Sequence, residues 1–156
     1  MIMIERMFKD LESMMETDKL VIPYGMKLYR ASKRLEEKPI PRKCSDTDKV
    51  GVYFSANDPY LSETMCSEYN DDLIVAEYML IHPVIVYVGK YSCKSYGWSN
   101  IPHIDNEVVG MYSTCEPKNK YAEVFLTPEL LKHVKYLRSY TMTVKDSMQK
   151  WGYYKW

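Results

Sequence analysis

The apolar residues of this chain come in short runs, none longer than about eight residues, broken by Pro, Gly, Asn and Asp. Such runs are too short for a membrane-spanning helix and suit brief strands. Lys27–Ser32, Val50–Ser55, Leu73–Ile81, Val84–Val88, Val108–Tyr112 and Tyr121–Leu126 are the clearest of them, and Leu20–Tyr24 is a shorter extended segment. Val134–Tyr140 alternates through Val134, Tyr136 and Arg138, which favours strand over helix. Helical spacing occurs in fewer places. Residues 2–16 set Ile4, Met7, Phe8, Leu11, Met14 and Met15 on one face, predicting an amphipathic N-terminal helix. Asp58-Pro59 predicts a helix running to about Tyr69, with Asp58 as N-cap, and Thr127-Pro128 predicts a further turn or two. With many short strands, few helices and little βαβ alternation, the expected class is α+β with a mostly antiparallel sheet.

At 156 residues the chain is expected to form one domain spanning 1–156. Twenty-one basic residues balance 21 acidic ones, so no global charge draws it to nucleic acid or to a membrane surface. The four cysteines (Cys44, Cys66, Cys93, Cys115) contain no Cys-x-x-Cys pair, and no secretory leader or glycosylation sequon accompanies them. Reduced thiols in a cytoplasmic protein are expected, of either the producing or a host cell. Cys93, His103 and Cys115 lack the close ligand pairs of a zinc site, so no metal is expected. The tail 144–156 interleaves Trp151, Tyr153, Tyr154 and Trp156 with lysines; these rings are expected to lie against the core rather than to stack on bases.

Three strands each carry one residue that invites a chemical role. Arg30 stands among apolar neighbours, where a guanidinium needs an anion: a structural carboxylate, or the phosphate or carboxylate of a ligand. Ser55 ends its strand before the Asn57-Asp58-Pro59 turn, and Glu123 interrupts an apolar strand. Residues 33–49, with Pro39, Pro41, Arg34, Arg42 and Lys43, have no period and are read as a long surface loop that covers a ligand or meets a partner.

Leu28-Tyr29-Arg30-Ala31-Ser32 resembles the first-strand arginine motif of the ADP-ribosylating bacterial toxins related to cholera toxin. Gly51-Val52-Tyr53-Phe54-Ser55 and the helix after it are similar to the second-strand motif of the poly(ADP-ribose) polymerase-like enzymes, with Ser55 placed like the toxins' serine. Glu123, late in the chain, matches the glutamate that both groups share; the resemblance covers about residues 26–138. It implies two small, mostly antiparallel sheets with a cleft between them, and NAD as co-substrate. It also implies Arg30, Ser55 and Glu123 as the catalytic set, with Tyr29, Ala31, Tyr53, Phe54 and Tyr60 beside them around NAD. Arg30 would hold phosphate and ribose, Tyr53 and Phe54 would wall the nicotinamide pocket, Ser55 would orient the glutamate, and Glu123 would bind the ribose 2′-hydroxyl. The implied activity is mono-ADP-ribosylation of a macromolecular acceptor, protein first and nucleic acid second. NAD hydrolysis, or a non-catalytic NAD, ADP-ribose or protein-binding module, are the alternatives. Tyr121 stands where the toxins carry the Glu or Gln that directs the acceptor, and Arg30 stands where the polymerase-like enzymes carry histidine. An arginine acceptor and chain elongation are therefore not implied.

Overall fold

The computed structural model describes residues 19–43, 50–88, 91–92, 97–98, 110–115 and 121–152. The predicted helix 2–16, Cys44, Cys93, His103 and the aromatic residues of 153–156 lie outside them.

The strands are β1 (Lys19–Ile22), β2 (Lys27–Ser32), β3 (Arg42–Lys43), β4 (Val50–Ala56), β5 (Leu73–Leu80), β6 (Val84–Val88), β7 (Tyr91–Ser92), β8 (Gly97–Trp98), β9 (Gly110–Cys115), β10 (Tyr121–Leu126) and β11 (Val134–Met142). The helices are α1 (Tyr60–Tyr69), α2 (Pro128–Leu131) and α3 (Val144–Trp151). The class is α+β with mostly antiparallel pairing, as expected. One sheet runs β1-β6-β9-β10-β4-β2-β5-β11, with β3 on β4, and β7 and β8 form a separate two-stranded ribbon. β6 with β9 is its parallel pair among the described strands. The loop expected at 33–49 is interrupted by β3, two residues too few to show any period in sequence.

Two short connections fold this sheet over. β1 and β2 lie five strands apart in the sheet, as do β6 and β5. In a flat sheet five spacings would separate them by about 24 Å. The links 23–26 and 81–83 span at most about 17 Å and 14 Å when fully extended. The sheet must therefore curl until its halves, β1-β6-β9-β10-β4 and β2-β5-β11, face each other. The core shows this directly: Ile22, Val52, Phe54, Val84, Val86, Val124 and Leu126 from one half pack with Leu28, Ala76, Tyr78 and Leu80 from the other. Amides at the crossing close it, Gly25 N–H donating to Leu80 O at 2.8 Å and Leu80 N–H to Met26 O at 3.0 Å. Gly25, at φ 90°, takes the left-handed turn that the β1–β2 link requires.

The crease lies between β4 and β2, which share only two register pairs, Leu28 with Ala56 and Tyr29 with Ser55. Beyond these pairs the strands part. The outer face of this region is covered by α1. Pro59, not Asp58, occupies its cap position, and Asp58 Oδ1 instead accepts the Tyr60 amide at 2.8 Å. Asn70, at φ 51°, ends the helix in the left-handed conformation.

The tail begins as a helix. Thr143 caps α3 by accepting the Asp146 amide at 3.0 Å. α3 is docked on α1 by Glu63, whose side chain is 1% exposed. Its carboxylate accepts from the Tyr140 hydroxyl at 2.8 Å, Lys150 Nζ at 3.0 Å and Trp151 Nε1 at 3.1 Å. The Ser147 hydroxyl donates to the Glu63 carbonyl at 2.7 Å. A buried carboxylate is tolerated when its oxygens are saturated in this way. Replacing Glu63 with Ala strands the Tyr140 and Trp151 donors and is expected to cost about 3 kcal/mol. A urea titration checks this, and limited proteolysis should show α3 becoming cleavable first.

Candidate active site

A cavity of about 320 Å³ opens where β2 and β4 diverge. Its walls are Tyr29, Arg30 and Ala31 on β2, Gly51 to Ser55 on β4, and Glu123 on β10. Leu61, Ser62 and Met65 of α1 and Ile40, Arg42 and Lys43 near β3 complete it. Arg30, Ser55 and Glu123, from three strands far apart in sequence, thus line one hollow.

Strand alternation explains how they meet. Tyr29 opposes Ser55, Ser55 opposes Glu123, and on the other side Tyr29 opposes Glu77. These four residues form one transverse row on the outer face, each neighbouring pair with Cβ atoms about 5 Å apart. Arg30 belongs to the inner face with Leu28. It reaches the cavity only because β2 has no partner on its β4 side beyond Tyr29. The crease is what lets an inner-face guanidinium share a hollow with an outer-face carboxylate.

Each side chain is held differently. Ser55 is 5% exposed, and its Oγ lies 2.6 Å from Ser62 Oγ. The hydroxyl expected to orient Glu123 therefore sits between Glu123, its cross-strand neighbour, and Ser62 on α1. Tyr53 is half-buried and tilts against Phe125 with ring centroids 4.8 Å apart. Phe54, though at the cavity wall, spends its ring in the core, edge-on to Tyr78 at 5.4 Å. Tyr60 is not part of the wall: its ring packs edge-on to Trp151 at 4.9 Å, because the first turn of α1 faces α3.

The cationic end of the hollow is built around Glu36. Arg30 and Arg42 each place a terminal nitrogen 3.5 Å from a different Glu36 oxygen. The segment that carries Glu36 is anchored by the Tyr78 hydroxyl, which donates to the Glu36 carbonyl. Burial draws the Arg30 guanidinium below its usual pKa, with Glu36 opposing that shift. Burial likewise pushes the Tyr78 phenol up to about 12, so it remains a donor at any physiological pH. Arg42 opposes Gly51 while Glu123 opposes Ser55, four residues along β4. About 13 Å of strand therefore separates the register of Arg42 from that of Glu123.

Residues 36, 62 and 77 carry no distinctive spacing in the sequence, and their roles here come from tertiary contacts. Glu77 accepts from Arg138 Nε and from the Tyr29 hydroxyl at 3.5 Å, with Lys27 Nζ also 3.5 Å away. It fixes the Tyr29 end of the row. Burial pushes its carboxyl upward, but Arg138 and Lys27 outweigh burial and hold it below the ordinary carboxylate range. A depressed folded pKa stabilises the fold above the unfolded value of about 4.3. That stability is lost as pH falls through 4.3 toward the folded value. Unfolding free energy measured from pH 7 to pH 3 should therefore fall less steeply in Glu77→Gln than in the parent.

Gly51 is required by close approach. A Cβ there would lie 2.5 Å from the Leu126 carbonyl oxygen and 2.6 Å from the Phe125 ring. Gly51→Ala is expected to cost about 2 kcal/mol through overpacking, read as a lower urea midpoint.

Comparison with protein-family models, curated proteins and solved structures finds no match for this chain. Among the described residues, no helix is long and apolar enough to cross a membrane, and no cluster of His, Cys, Asp and Glu is arranged to hold a metal ion.

Proposed function

We propose that this chain is an NAD-dependent mono-ADP-ribosyltransferase with an ADP-ribosyltransferase-like core, acting on a macromolecular acceptor. The observation that carries the reading is the convergence of Arg30, Ser55 and Glu123 on one cavity at the crease of the sheet. The polarity of the hollow supports it. The Glu123 end suits the nicotinamide ribose, where positive charge develops; the Arg30 end suits the phosphates. A volume of about 320 Å³ holds one nucleotide-sized group, leaving the adenosine half at the mouth.

In this reading Tyr53 packs against nicotinamide and Glu123 accepts a hydrogen bond from the 2′-hydroxyl of its ribose. If Ser62 donates to Ser55, the Ser55 proton is directed at Glu123 and fixes its rotamer. The bond from ribose C1′ to nicotinamide breaks with its electron pair leaving on nicotinamide, and an oxocarbenium-like ribose remains. The Glu123 carboxylate stabilises that charge more than it stabilises ground-state NAD, which accelerates the step. An acceptor nucleophile then attacks C1′ and releases its proton to solvent; water in its place gives hydrolysis.

The test uses NAD labelled on the adenylate and follows nicotinamide release together with label retained on macromolecules. Glu123→Gln keeps the shape and removes the charge, and is expected to slow release at least ~100-fold. Release without retained label identifies a glycohydrolase. Tight NAD binding with no release identifies a binding module. Equal release by parent and Glu123→Gln rules the assignment out.

A further inference from the structure

We propose that Arg42 is the second arm of a diphosphate clamp whose first arm is Arg30. The inference rests on the NAD reading for the identity of the ligand, but its geometry stands apart from it.

Two guanidinium groups on different strands are tethered to the two oxygens of one carboxylate, each at 3.5 Å. That distance exceeds the roughly 2.7–2.9 Å of a charge-assisted hydrogen bond. Glu36 Oε2, on the Arg30 side, is buried and accepts no hydrogen bond from the described residues. Glu36 thus holds the arginines side by side by charge alone, without using their N–H forks. The other two carboxylates that serve as hubs are different: Glu63 and Glu77 both accept hydrogen bonds from their cations.

Both arginines line the cavity, as does Lys43, whereas Glu36 is not part of its wall. Two guanidinium groups against one carboxylate leave this pair net positive, the sign that a diphosphate linkage requires. Two planar forks facing one hollow suit two adjacent phosphates better than a single point charge does. The position is also suitable: Arg42 pairs with Gly51, which is itself part of the cavity wall. A dinucleotide lying along β4 from Ser55 toward Gly51 would bring its linkage to this pair.

Arg42 is 73% exposed, so Arg42→Gln should fold with an unchanged urea midpoint. Binding of inorganic pyrophosphate and of NAD is measured by calorimetry on the full chain, with Arg42→Lys as a second variant. The expected result is pyrophosphate that competes with NAD, and a Kd for both raised at least about tenfold in Arg42→Gln, the scale of one hydrogen bond to a charged group. Arg42→Lys should fall between, since it keeps the charge and loses the fork. Parent-like affinity for both ligands in Arg42→Gln overturns the clamp and leaves the NAD reading intact. Pyrophosphate binding that weakens in Arg42→Gln, with no NAD binding at all, upholds the clamp and removes the NAD reading. Binding of neither ligand by the parent overturns both.

Discussion

Among the described residues, the β4–β2 ladder that joins the halves of the main sheet has two register pairs, Leu28 with Ala56 and Tyr29 with Ser55. The short links 23–26 and 81–83 leave the chain no alternative to folding there, because neither can cross a flat sheet of this order. Folding buries Phe54, Tyr78, Leu80, Val86 and Val124 in one core, which supplies the favourable free energy. Curling the sheet this far parts β2 from β4 beyond the two pairs. The gap costs ladder hydrogen bonds along Arg30–Ser32 on that side of β2, and the same gap becomes the cavity. Core and hollow are thus two results of one geometric constraint.

That constraint also resolves an apparent conflict in the strand pattern. Arg30 and Ser55 fall on opposite faces of the sheet, which in an uninterrupted ladder would keep their side chains apart. At an open crease the distinction between inner and outer face lapses, so the guanidinium and the outer row line the same hollow. The surrounding carboxylates then divide the work. Glu77 anchors Tyr29, Glu36 gathers the arginines, and Glu63 fastens α3 to the helix that bears Ser62.

Much of the scaffold was legible because it is written in local signals. β2, β4, β5, β6, β10 and β11 follow from alternation bounded by Pro, Gly and Asn, with ends within a residue or two. Arg30 and Glu123 could be singled out because each interrupts an apolar strand, and Ser55 because it ends one before a turn. What could not be read depends on contacts between distant residues. The Lys-and-Trp composition of the tail concealed α3, whose cap at Thr143 is local but whose docking on Glu63 is not. The resemblance implies Tyr60 beside NAD; its contact with Trp151 depends on the docking of α3, which no local signal carries. β3 is too brief for a period, so Arg42 read as a loop cation until its pairing with Gly51 gave it a place.

The attachment of α3 through Glu63 has a practical side. Ser62 and Glu63 are consecutive, one meeting Ser55 and the other receiving Lys150 and Trp151. Shortening the protein by removing residues from 150 onward would take away two of the three donors that fix Glu63. Because its neighbour in the chain braces the serine at the crease, such a trim would loosen the hollow from behind, with no wall residue altered. Anyone preparing shortened or fused versions for assay should treat α3 as a support of the pocket.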